Sequence, residues 1–365
     1  MKYYIISGEA SGDLHASNLM RELKSRDHEA DFRCWGGDLM KAQGAEIVKH
    51  YRELAFMGFT EVVMNIRTIL GNIEFCKKDI LAYRPDVIIL VDYPGFNLRI
   101  AEFAKKNRIK VFYYISPQIW AWKQSRVHKI KRVVDRMFVI LPFEKDFYGK
   151  FDYKVDFVGH PLLDAVKGQE ITPSDWNIPT DKPVIALLPG SRKQEIATML
   201  PLFLEMKKYY PEYQFVIAGA PSQGKEYYQT FIKKSDVKIV YNQTYQLLQR
   251  AEAAMVTSGT ATLETALFGV PEVVCYKGGA ISYMIAKQLI KVKYISLVNL
   301  IMDKEIVKEL IQNEMNEKNL KKELDKLLSG TSRQKLLNDY AELKAKLGGE
   351  GASAKTAELM IGYLK

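Results

Sequence analysis

The feature that most constrains the fold of this chain is a repeated alternation of short apolar runs with amphipathic stretches. The runs, such as "DVIILVD" at 86–92 and "VIALLPG" at 184–190, are nearly continuous in apolar residues instead of alternating with polar ones. Strands of this kind are covered on both faces, as they are in a parallel sheet with helices on either side. The sequence therefore predicts an α/β protein built from doubly wound, Rossmann-like sheets.

Two groups of predicted strands flank a connection at about 160–182 that contains prolines and has no clear period. The first group is 3–7, 31–36, 86–92, 110–116, 136–141 and 155–159, and the second is 184–190, 213–219, 237–241, 253–259 and 270–276. We predict an N-terminal domain over 1–165, a C-terminal domain over 166–335 and a helical tail over 336–365. The two domains are expected to face a central cleft. The tail either crosses back to the N-terminal domain or docks on a partner chain, which leaves a homodimer open.

The charge balance points to an anionic partner, because 53 Lys and Arg residues outnumber 43 Asp and Glu residues. Nucleic acid, an anionic membrane surface and a phosphorylated small molecule all fit this excess. Three scattered cysteines favour a reducing compartment, and neither a signal peptide nor a membrane-spanning run of apolar residues is recognisable. The five histidines lack metal-ligand spacing and no D-x-D pair is present, so no metal and no cofactor is expected.

Two acidic residues follow predicted strands of the N-terminal domain. Glu9 lies in the first loop, "SGEASGD", where a turn that only caps a helix would not require it, and Asp13 is expected to cap the helix that follows. Asp92 lies at the carboxyl end of a buried strand, before the turn at Pro94. Ligands of open parallel sheets bind outside these strand ends, so Asp92 is a candidate general base. The alternative is a strand-end aspartate that only binds nearby backbone N–H groups.

A basic, tryptophan-containing segment follows a later strand of the same domain. Between Lys123 and Arg136 it has six Lys or Arg residues against one Asp, which is typical of either a solvated helix face or a phosphate-binding surface. No nucleic-acid-binding module accompanies it, so nucleic acid is rejected as the partner. The candidate acceptor and membrane residues in this segment are Trp120, Trp122, Lys123, Arg126, Lys129, Lys131 and Arg132.

The segment 56–73 is predicted to be a helix with one apolar face, which is expected to lie in the core. This face consists of Phe59, Val62, Val63, Ile66, Ile69, Leu70 and Ile73. Phe56, Met57 and Met64 fall outside that face. We therefore assign these three residues, together with the two tryptophans, to an acyl-chain or bilayer contact.

Two loops of the C-terminal domain have the character of phosphate sites. Gly190 and Ser191 precede Arg192 at a predicted helix start, where free N–H groups, the helix dipole and a guanidinium would bind a diphosphate. The second loop consists of Ser258, Gly259 and Thr260, with Glu264 one turn into the next helix. Each loop alone is compatible with ordinary helix capping, but the pair favours a nucleoside diphosphate held without a metal.

The motifs as a set resemble the lipid-A-disaccharide synthase family. They occur in order from residue 5 to about residue 315: "SGEASGD", "AFMGFTEV", "VDYPGFN", "YYISPQIWAWKQSRVHKIKR", "LPFEKDFY", "VGHPLLDA", "LLPGSRKQEI", "SGTATLE" and "SLVNLIMDKEIVKELIQ". The resemblance implies a two-domain glycosyltransferase of the GT-B type, with the acceptor bound by the N-terminal half and UDP by the C-terminal half. In that family Asp92 corresponds to the proposed catalytic aspartate and Glu9 to an acidic residue of the first loop. Arg192 and Asn299 correspond to residues near UDP or the donor.

The implied reaction joins UDP-2,3-diacylglucosamine to 2,3-diacylglucosamine 1-phosphate (lipid X) through a β-1′,6 linkage, with inversion at the anomeric carbon and release of UDP. The implied location is cytoplasmic, on the inner face of the inner membrane of a Gram-negative bacterium. Two alternatives remain open from the residues. A UDP-sugar 2-epimerase or another GT-B enzyme would share the two-domain plan, and a non-enzymatic membrane-surface adaptor would share the charge.

Overall fold

The computed structural model describes residues 1–54, 66–167, 181–232, 236–279 and 292–365, and the statements below concern these ranges. The predicted acyl or bilayer contacts Phe56, Met57 and Met64 lie outside the described residues. Within the described ranges, no helix combines the length and the apolar character needed to cross a membrane.

Thirteen described strands carry the fold, and all of their pairings are parallel. They are β1 (Lys2–Ser7), β2 (Asp31–Gly36), β3 (Glu46–His50), β4 (Val87–Val91), β5 (Lys110–Tyr114), β6 (Arg136–Val139), β7 (Asp156–Phe157), β8 (Val184–Leu188), β9 (Gln214–Gly219), β10 (Lys238–Tyr241), β11 (Ala251–Thr257), β12 (Glu272–Tyr276) and β13 (Lys308–Ile311). They form one sheet of seven strands and one of six.

The α-helices of the described ranges connect these strands. They are α1 (Ala10–Lys24), α2 (Asp38–Ala42), α3 (Ile66–Tyr83), α4 (Pro94–Lys106), α5 (Ile119–Trp122), α6 (Arg126–Val133), α7 (Pro142–Gly149), α8 (Leu162–Lys167), α9 (Lys193–Glu205), α10 (Lys225–Ile232), α11 (Thr244–Arg250), α12 (Thr260–Leu267), α13 (Leu297–Met302), α14 (Glu317–Leu328), α15 (Gly330–Lys346) and α16 (Ala352–Leu364). Short 3₁₀ helices cover Tyr51–Glu53, Met206–Tyr209 and Gln312–Glu314.

The chain divides into two compact units. Unit 1 comprises Met1–Asp164 and Leu347–Lys365, and unit 2 comprises Ala165–Lys346. The last helix, α16, packs on α1 within unit 1. The Asp164 carboxylate caps the start of α16 by accepting hydrogen bonds from the N–H groups of Gly351 at 2.6 Å and Ser353 at 2.9 Å. The helix α15 belongs to unit 2, whereas the sequence analysis began the tail inside it, at residue 336.

The prediction of an α/β fold with doubly wound parallel sheets is confirmed. Unit 1 has the strand order β3-β2-β1-β4-β5-β6-β7, and unit 2 has the order β10-β9-β8-β11-β12-β13. The central strands β4 and β8 are buried along their whole length, which explains their uninterrupted apolar sequences.

Two strands were missed, and both lie at the edge of a sheet. The first, β3, is only partly buried and mixes charged with apolar residues. The second, β13, contradicts the expectation of only helices after Asp303, because its buried residue Glu309 interrupts the apolar pattern. An edge strand is covered less completely than a central one, so its sequence need not be a continuous apolar run.

Candidate active site

The order of strands in unit 1 reverses between β1 and β4, which are hydrogen-bonded neighbours. The loop after β1 contains Glu9, and the residue directly after β4 is Asp92. Ligand sites of open parallel sheets lie at such a reversal, outside the carboxyl ends of the strands. The fold therefore brings the two acidic residues that the sequence analysis selected to one position at the sheet edge.

Asp92 and Tyr93 form a left-handed turn between β4 and α4. Their φ angles are 45° and 47°, a conformation that is uncommon for residues with a side chain. The Asp92 N–H donates to the Tyr114 carbonyl at 3.2 Å. The Asp92 carbonyl oxygen accepts hydrogen bonds from the Asn97 Nδ2 at 2.7 Å and from the Tyr113 hydroxyl at 2.5 Å. The backbone of Asp92 is thus held by Tyr113 and Tyr114 of β5 and by Asn97 of α4.

The loop after β1 approaches this turn closely. A Cβ atom on Gly8 would lie 2.4 Å from the ring of Tyr93, far inside van der Waals contact. A residue with a side chain therefore cannot occupy position 8 unless the tyrosine ring moves. Glycine at this position keeps the Glu9 loop against the Asp92 turn.

Burial is the main cause of a raised pKa at Asp92. Loss of solvent, and then the negative charge of Glu9, raise the pKa of Asp92 to about 7, whereas a hydrogen bond from the Tyr93 backbone acts in the opposite direction. A carboxyl group with this pKa exchanges protons near neutral pH, as a general base must. Asp92 is therefore a poorly solvated carboxylate, and the negative charge of Glu9 makes it more basic.

Asp13 has a different role from the predicted one. The helix α1 begins at Ala10, so Asp13 lies inside it and cannot cap it. Its buried carboxylate instead accepts hydrogen bonds from three N–H groups at the start of α2, those of Gly37 at 2.7 Å, Leu39 at 3.1 Å and Met40 at 3.2 Å. Glu9 occupies the N-cap position of α1, but its side chain makes no capping hydrogen bond.

The two tryptophans of the basic segment lie in different surroundings. Trp120 is only 8% exposed and packs edge-on against Phe143, with ring centroids 4.9 Å apart. This burial contradicts a surface contact of Trp120 with a bilayer, whereas the alternative of an acyl-chain contact stays a prediction. Trp122 is 49% exposed, and the cationic groups of Lys123 and Arg126 each lie 5.2 Å from its ring centroid.

The lysines of α6 differ in their partners. Lys129 forms an ion pair with Glu102 at 2.8 Å, and the Lys131 ammonium donates to the Phe151 carbonyl at 3.1 Å. Lys129 is the main cause of a lowered pKa of Glu102, to which Arg132 also contributes. Within the described ranges no carboxylate lies within ion-pair distance of Lys123 or Arg126. These two cations beside Trp122 are therefore better suited to an external anion than Lys129 and Lys131 are.

In unit 2 the strand order reverses between β8 and β11, and the two predicted phosphate loops follow these neighbouring strands. One expectation about the first loop is wrong. The N–H groups of Ser191 and Arg192 are not free, because the Glu195 carboxylate accepts from them at 3.1 Å and 3.2 Å. Gly190, with φ of 99°, turns the chain into this capped helix start. The Arg192 guanidinium lies 3.4 Å from Glu195 and its side chain is 60% exposed.

The second loop leaves its helix start without a side-chain cap. Gly259 is the N-cap residue of α12, and both Gly259 and Thr260 are exposed. The Ser258 hydroxyl donates to the Ile295 carbonyl at 3.2 Å, which fixes the loop. An uncapped helix N-terminus presents N–H groups and a positive dipole end to an anion.

Glu264 lies one turn further along α12. Its carboxylate accepts a hydrogen bond from the Tyr245 hydroxyl at 3.3 Å. Burial raises the pKa of Glu264, and the Tyr245 hydrogen bond opposes that shift. The carboxylate is a hydrogen-bond acceptor for hydroxyl groups near the start of α12.

Asn299 does not have the geometry of a ligand-binding residue. Its Oδ1 accepts from the N–H groups of Ile306 at 2.8 Å and Val307 at 3.0 Å, and its Nδ2 donates to the Val307 carbonyl at 2.8 Å and to Glu309 at 2.9 Å. These four bonds use the full hydrogen-bonding capacity of an amide. The side chain is fully buried and joins α13 to β13, so the expected contact with the donor is not available to it.

Three residues of these sites were missed by the sequence analysis. Glu195 had a signal, because a glutamate three residues after the N-cap position is typical of a capped helix start. Asn97 stands in the quoted motif "VDYPGFN", but the pattern says nothing about its partner. Tyr113 had no signal, because only the pairing of β4 with β5 brings its hydroxyl to Asp92.

Two doubly wound parallel sheets, each with polar loops at its strand-order reversal, define an α/β fold of the GT-B type. Among solved structures, UDP-GlcNAc 2-epimerase from Neisseria meningitidis, bound to UDP-GlcNAc, is 14% identical and has a TM-score of 0.71, with 99% of this chain and 100% of that chain covered. The glycotransferase of kitacinnamycin is 15% identical and has a TM-score of 0.69, with 100% and 99% covered. At these identities the likeness concerns the fold alone.

The sequence comparisons are more specific. The family profile described as lipid-A-disaccharide synthetase matches residues 3–361. The lipid-A-disaccharide synthase of Syntrophus aciditrophicus (strain SB) is 40% identical over 372 aligned positions, which cover 99% of this chain and 97% of that protein. The chain belongs to the lipid-A-disaccharide synthase family, and it is a glycosyltransferase of lipid A biosynthesis.

Because all hydrogen-bonding groups of the Asn299 side chain are used within the protein, we expect this residue to stabilise the folded state. Asn299→Leu should lower the free energy of unfolding by about 3 kcal/mol, because the N–H groups of Ile306 and Val307 lose their acceptor and the Glu309 carboxylate loses one of its three donors. Urea unfolding measures the loss, and Asn313→Leu, at an exposed asparagine of the same unit, is the matched control. Unchanged stability combined with weaker UDP binding would contradict the structural role and restore the predicted ligand contact.

Proposed function

We propose that the chain transfers 2,3-diacylglucosamine from its UDP derivative to the 6-hydroxyl of 2,3-diacylglucosamine 1-phosphate, with Asp92 as the general base. The observation that carries this proposal is the partly buried Asp92 carboxylate, with its raised pKa, at the strand-order reversal of unit 1 next to Glu9. Family membership implies a UDP-sugar donor. The acyl groups and the phosphorylated acceptor are the finer part of the proposal.

The proposed reaction requires one general base. The acceptor oxygen attacks the anomeric carbon, the bond from that carbon to UDP breaks, and the hydroxyl proton passes to Asp92. A single displacement of this kind inverts the anomeric centre without a covalent intermediate. The Asp92 carboxylate suits this task because burial and Glu9 raise its pKa to about 7. Glu9 acts on the base through its charge.

The leaving UDP gains negative charge, and unit 2 supplies groups to stabilise it. The uncapped start of α12 at Gly259 and Thr260 offers N–H groups and a dipole, and the exposed Arg192 guanidinium supplies a positive charge. Glu264 provides a carboxylate acceptor for hydroxyl groups of the donor. The diphosphate is assigned to the start of α12, because Glu195 already occupies the N–H groups of the other loop.

Removal of the base should abolish most of the turnover. We expect Asp92→Asn to lower the rate of acceptor-dependent UDP release by roughly 10²- to 10⁴-fold and to leave UDP binding intact. The wild-type rate should rise with pH through about 7, since Asp92 accepts a proton only when ionised. UDP release is measured with and without acceptor, and UDP binding by calorimetry. A near-normal rate in Asp92→Asn would remove Asp92 as the base, and UDP-sugar turnover that needs no acceptor would favour the epimerase.

The acceptor phosphate is proposed to bind at Lys123 and Arg126. Both cations lie against the half-exposed Trp122 and lack a carboxylate partner among the described residues. Burial raises the pKa of Tyr113, whose hydroxyl binds the Asp92 carbonyl, and the positive charge of Arg126 opposes that shift. A guanidinium can donate two hydrogen bonds to a phosphate.

Substitutions can distinguish Arg126, which is proposed to bind the acceptor phosphate, from Lys129, which is paired with Glu102. Arg126→Gln should raise the KM for the phosphorylated acceptor about 10-fold, which is the expected effect of losing one charged hydrogen bond. Lys129→Gln is the control, because its charge is already paired with Glu102. The ratio of the two KM values is the measurement. Equal effects, or an effect of Arg126→Gln on the donor KM instead, would contradict the assignment.

Both proposed substrates carry acyl chains, so we propose that unit 1 binds the membrane surface peripherally. Leu70, at the start of α3, is 51% exposed, although the sequence analysis counted it among the core residues of its helix. Trp122 is a second exposed apolar group, with cations beside it. Exposed apolar side chains next to positive charge are typical of a contact with anionic lipid.

Membrane association provides the test of this surface. The double variant Leu70→Ser/Trp122→Ser should bind phosphatidylglycerol vesicles roughly 10-fold more weakly, because two partly inserted side chains are lost. Leu39→Ser, at another exposed leucine of unit 1, serves as the control for a general loss of apolar surface. Vesicle co-sedimentation measures the binding. Undiminished sedimentation of the double variant would rule out this contact.

A further inference from the structure

The turn formed by Asp92 and Tyr93 has an unfavourable backbone conformation, which needs contacts with the rest of the protein to be stable. Two consecutive residues with side chains, Asp92 and Tyr93, adopt positive φ angles of 45° and 47°. This conformation is less stable than the right-handed one for a residue with a side chain, and such turns persist only where surrounding contacts hold them. The geometry of this turn sets the direction in which the Asp92 side chain leaves the sheet.

Two buried donors hold the turn at a single atom. The Asp92 carbonyl oxygen accepts from the Asn97 amide at 2.7 Å and from the Tyr113 hydroxyl at 2.5 Å. Both residues are fully buried and lie on regular elements, Asn97 in the first turn of α4 and Tyr113 on β5. A carbonyl with two donors has both of its acceptor sites filled, so its peptide plane cannot rotate without breaking a buried hydrogen bond.

The Asn97 amide is also limited to one orientation. Its Nδ2 lies 3.3 Å from the Val91 carbonyl oxygen and 3.4 Å from that of Ile6, in addition to its bond to Asp92. Three carbonyl oxygens around one atom require a donor there, because an amide oxygen would be repelled. Asn97 thereby joins the ends of β1 and β4 to the turn, at the position where the strand order reverses.

We propose that Asn97 and Tyr113 are positioning residues, which hold the Asp92 carboxylate in the direction and the poorly solvated environment that proton transfer requires. The inference rests on the proposed role of Asp92 as the base. Neither residue acts on the substrate in this account. Their effect passes through the Asp92 carbonyl, and it should therefore appear in the chemical step and not in substrate binding.

The test compares tyrosine-to-phenylalanine variants of the full-length protein. Tyr113→Phe keeps the buried ring and removes only the donor, and we expect kcat to fall about 10- to 100-fold, since a small misplacement of a reacting group has effects of this size. The KM values for both substrates should change by less than about 2-fold. The acid limb of the kcat profile should move to lower pH, because a displaced Asp92 gains water and its pKa falls toward the ordinary value.

Tyr153→Phe is the matched control, because it removes the same kind of hydrogen bond, from a tyrosine hydroxyl to a backbone carbonyl, at Val134 of the same unit. It should leave kcat and the pH profile unchanged. Asn97→Leu is the second test variant and should repeat the loss in kcat. If it fails to fold, Tyr113→Phe still decides the question. In an Asp92→Asn background, Tyr113→Phe should lower the residual rate no further.

The outcomes separate this inference from the proposal on which it rests. If Asp92→Asn is inactive while Tyr113→Phe keeps a normal kcat and an unchanged pH profile, the positioning role is wrong and the base assignment stands. If Tyr113→Phe and Tyr153→Phe lose the same activity, the effect is a general one of losing a tyrosine hydroxyl, and the positioning role is again wrong. If Asp92→Asn keeps its turnover, the base assignment fails and the inference fails with it.

Discussion

The parallel pairing of β1 with β4 is the constraint on which the candidate site depends. It places two chain segments that are about 80 residues apart at the same edge of one sheet, so that the loop with Glu9 meets the turn with Asp92. Both strands are buried, and the carboxylate at their end therefore lies between solvent and an apolar core. That location, more than any hydrogen bond to the carboxylate itself, makes Asp92 a base near neutral pH.

The same physical arrangement recurs in unit 2 with a different result. Its sheet also reverses order between two neighbouring strands, β8 and β11, and polar loops again follow them. One of the two helix starts is occupied by the protein's own carboxylate, Glu195, while the other has no side-chain cap. A helix N-terminus is a site for an external anion only where no internal anion already fills it. The difference between the two loops therefore directs the diphosphate to α12.

Much of this was predictable from the sequence, and the remainder has identifiable causes. The central strands were predictable because burial on both faces demands an apolar run, and Asp92 was selected because it ends such a run. Edge strand β13 was not, since buried Glu309 is stabilised by Asn299 and not by apolar surroundings. The roles of Trp120, Asn299 and Asp13 depended on which neighbours the fold brings to them, and a linear pattern does not contain that information. Tyr113 is the clearest case, because its partner lies on another strand.

A direct titration tests whether the fold turns Asp92 into a carboxylate that changes protonation near neutral pH. Carbon-13 NMR of aspartate side-chain carboxyl groups, in wild type and in Asp92→Asn, isolates the signal of this residue without any assay of turnover. We expect one aspartate signal with a midpoint at about pH 7 in the wild type, and we expect it to be missing from Asp92→Asn. If the signal that disappears in Asp92→Asn instead titrates near the ordinary aspartate value of about 4, the account of the site is wrong.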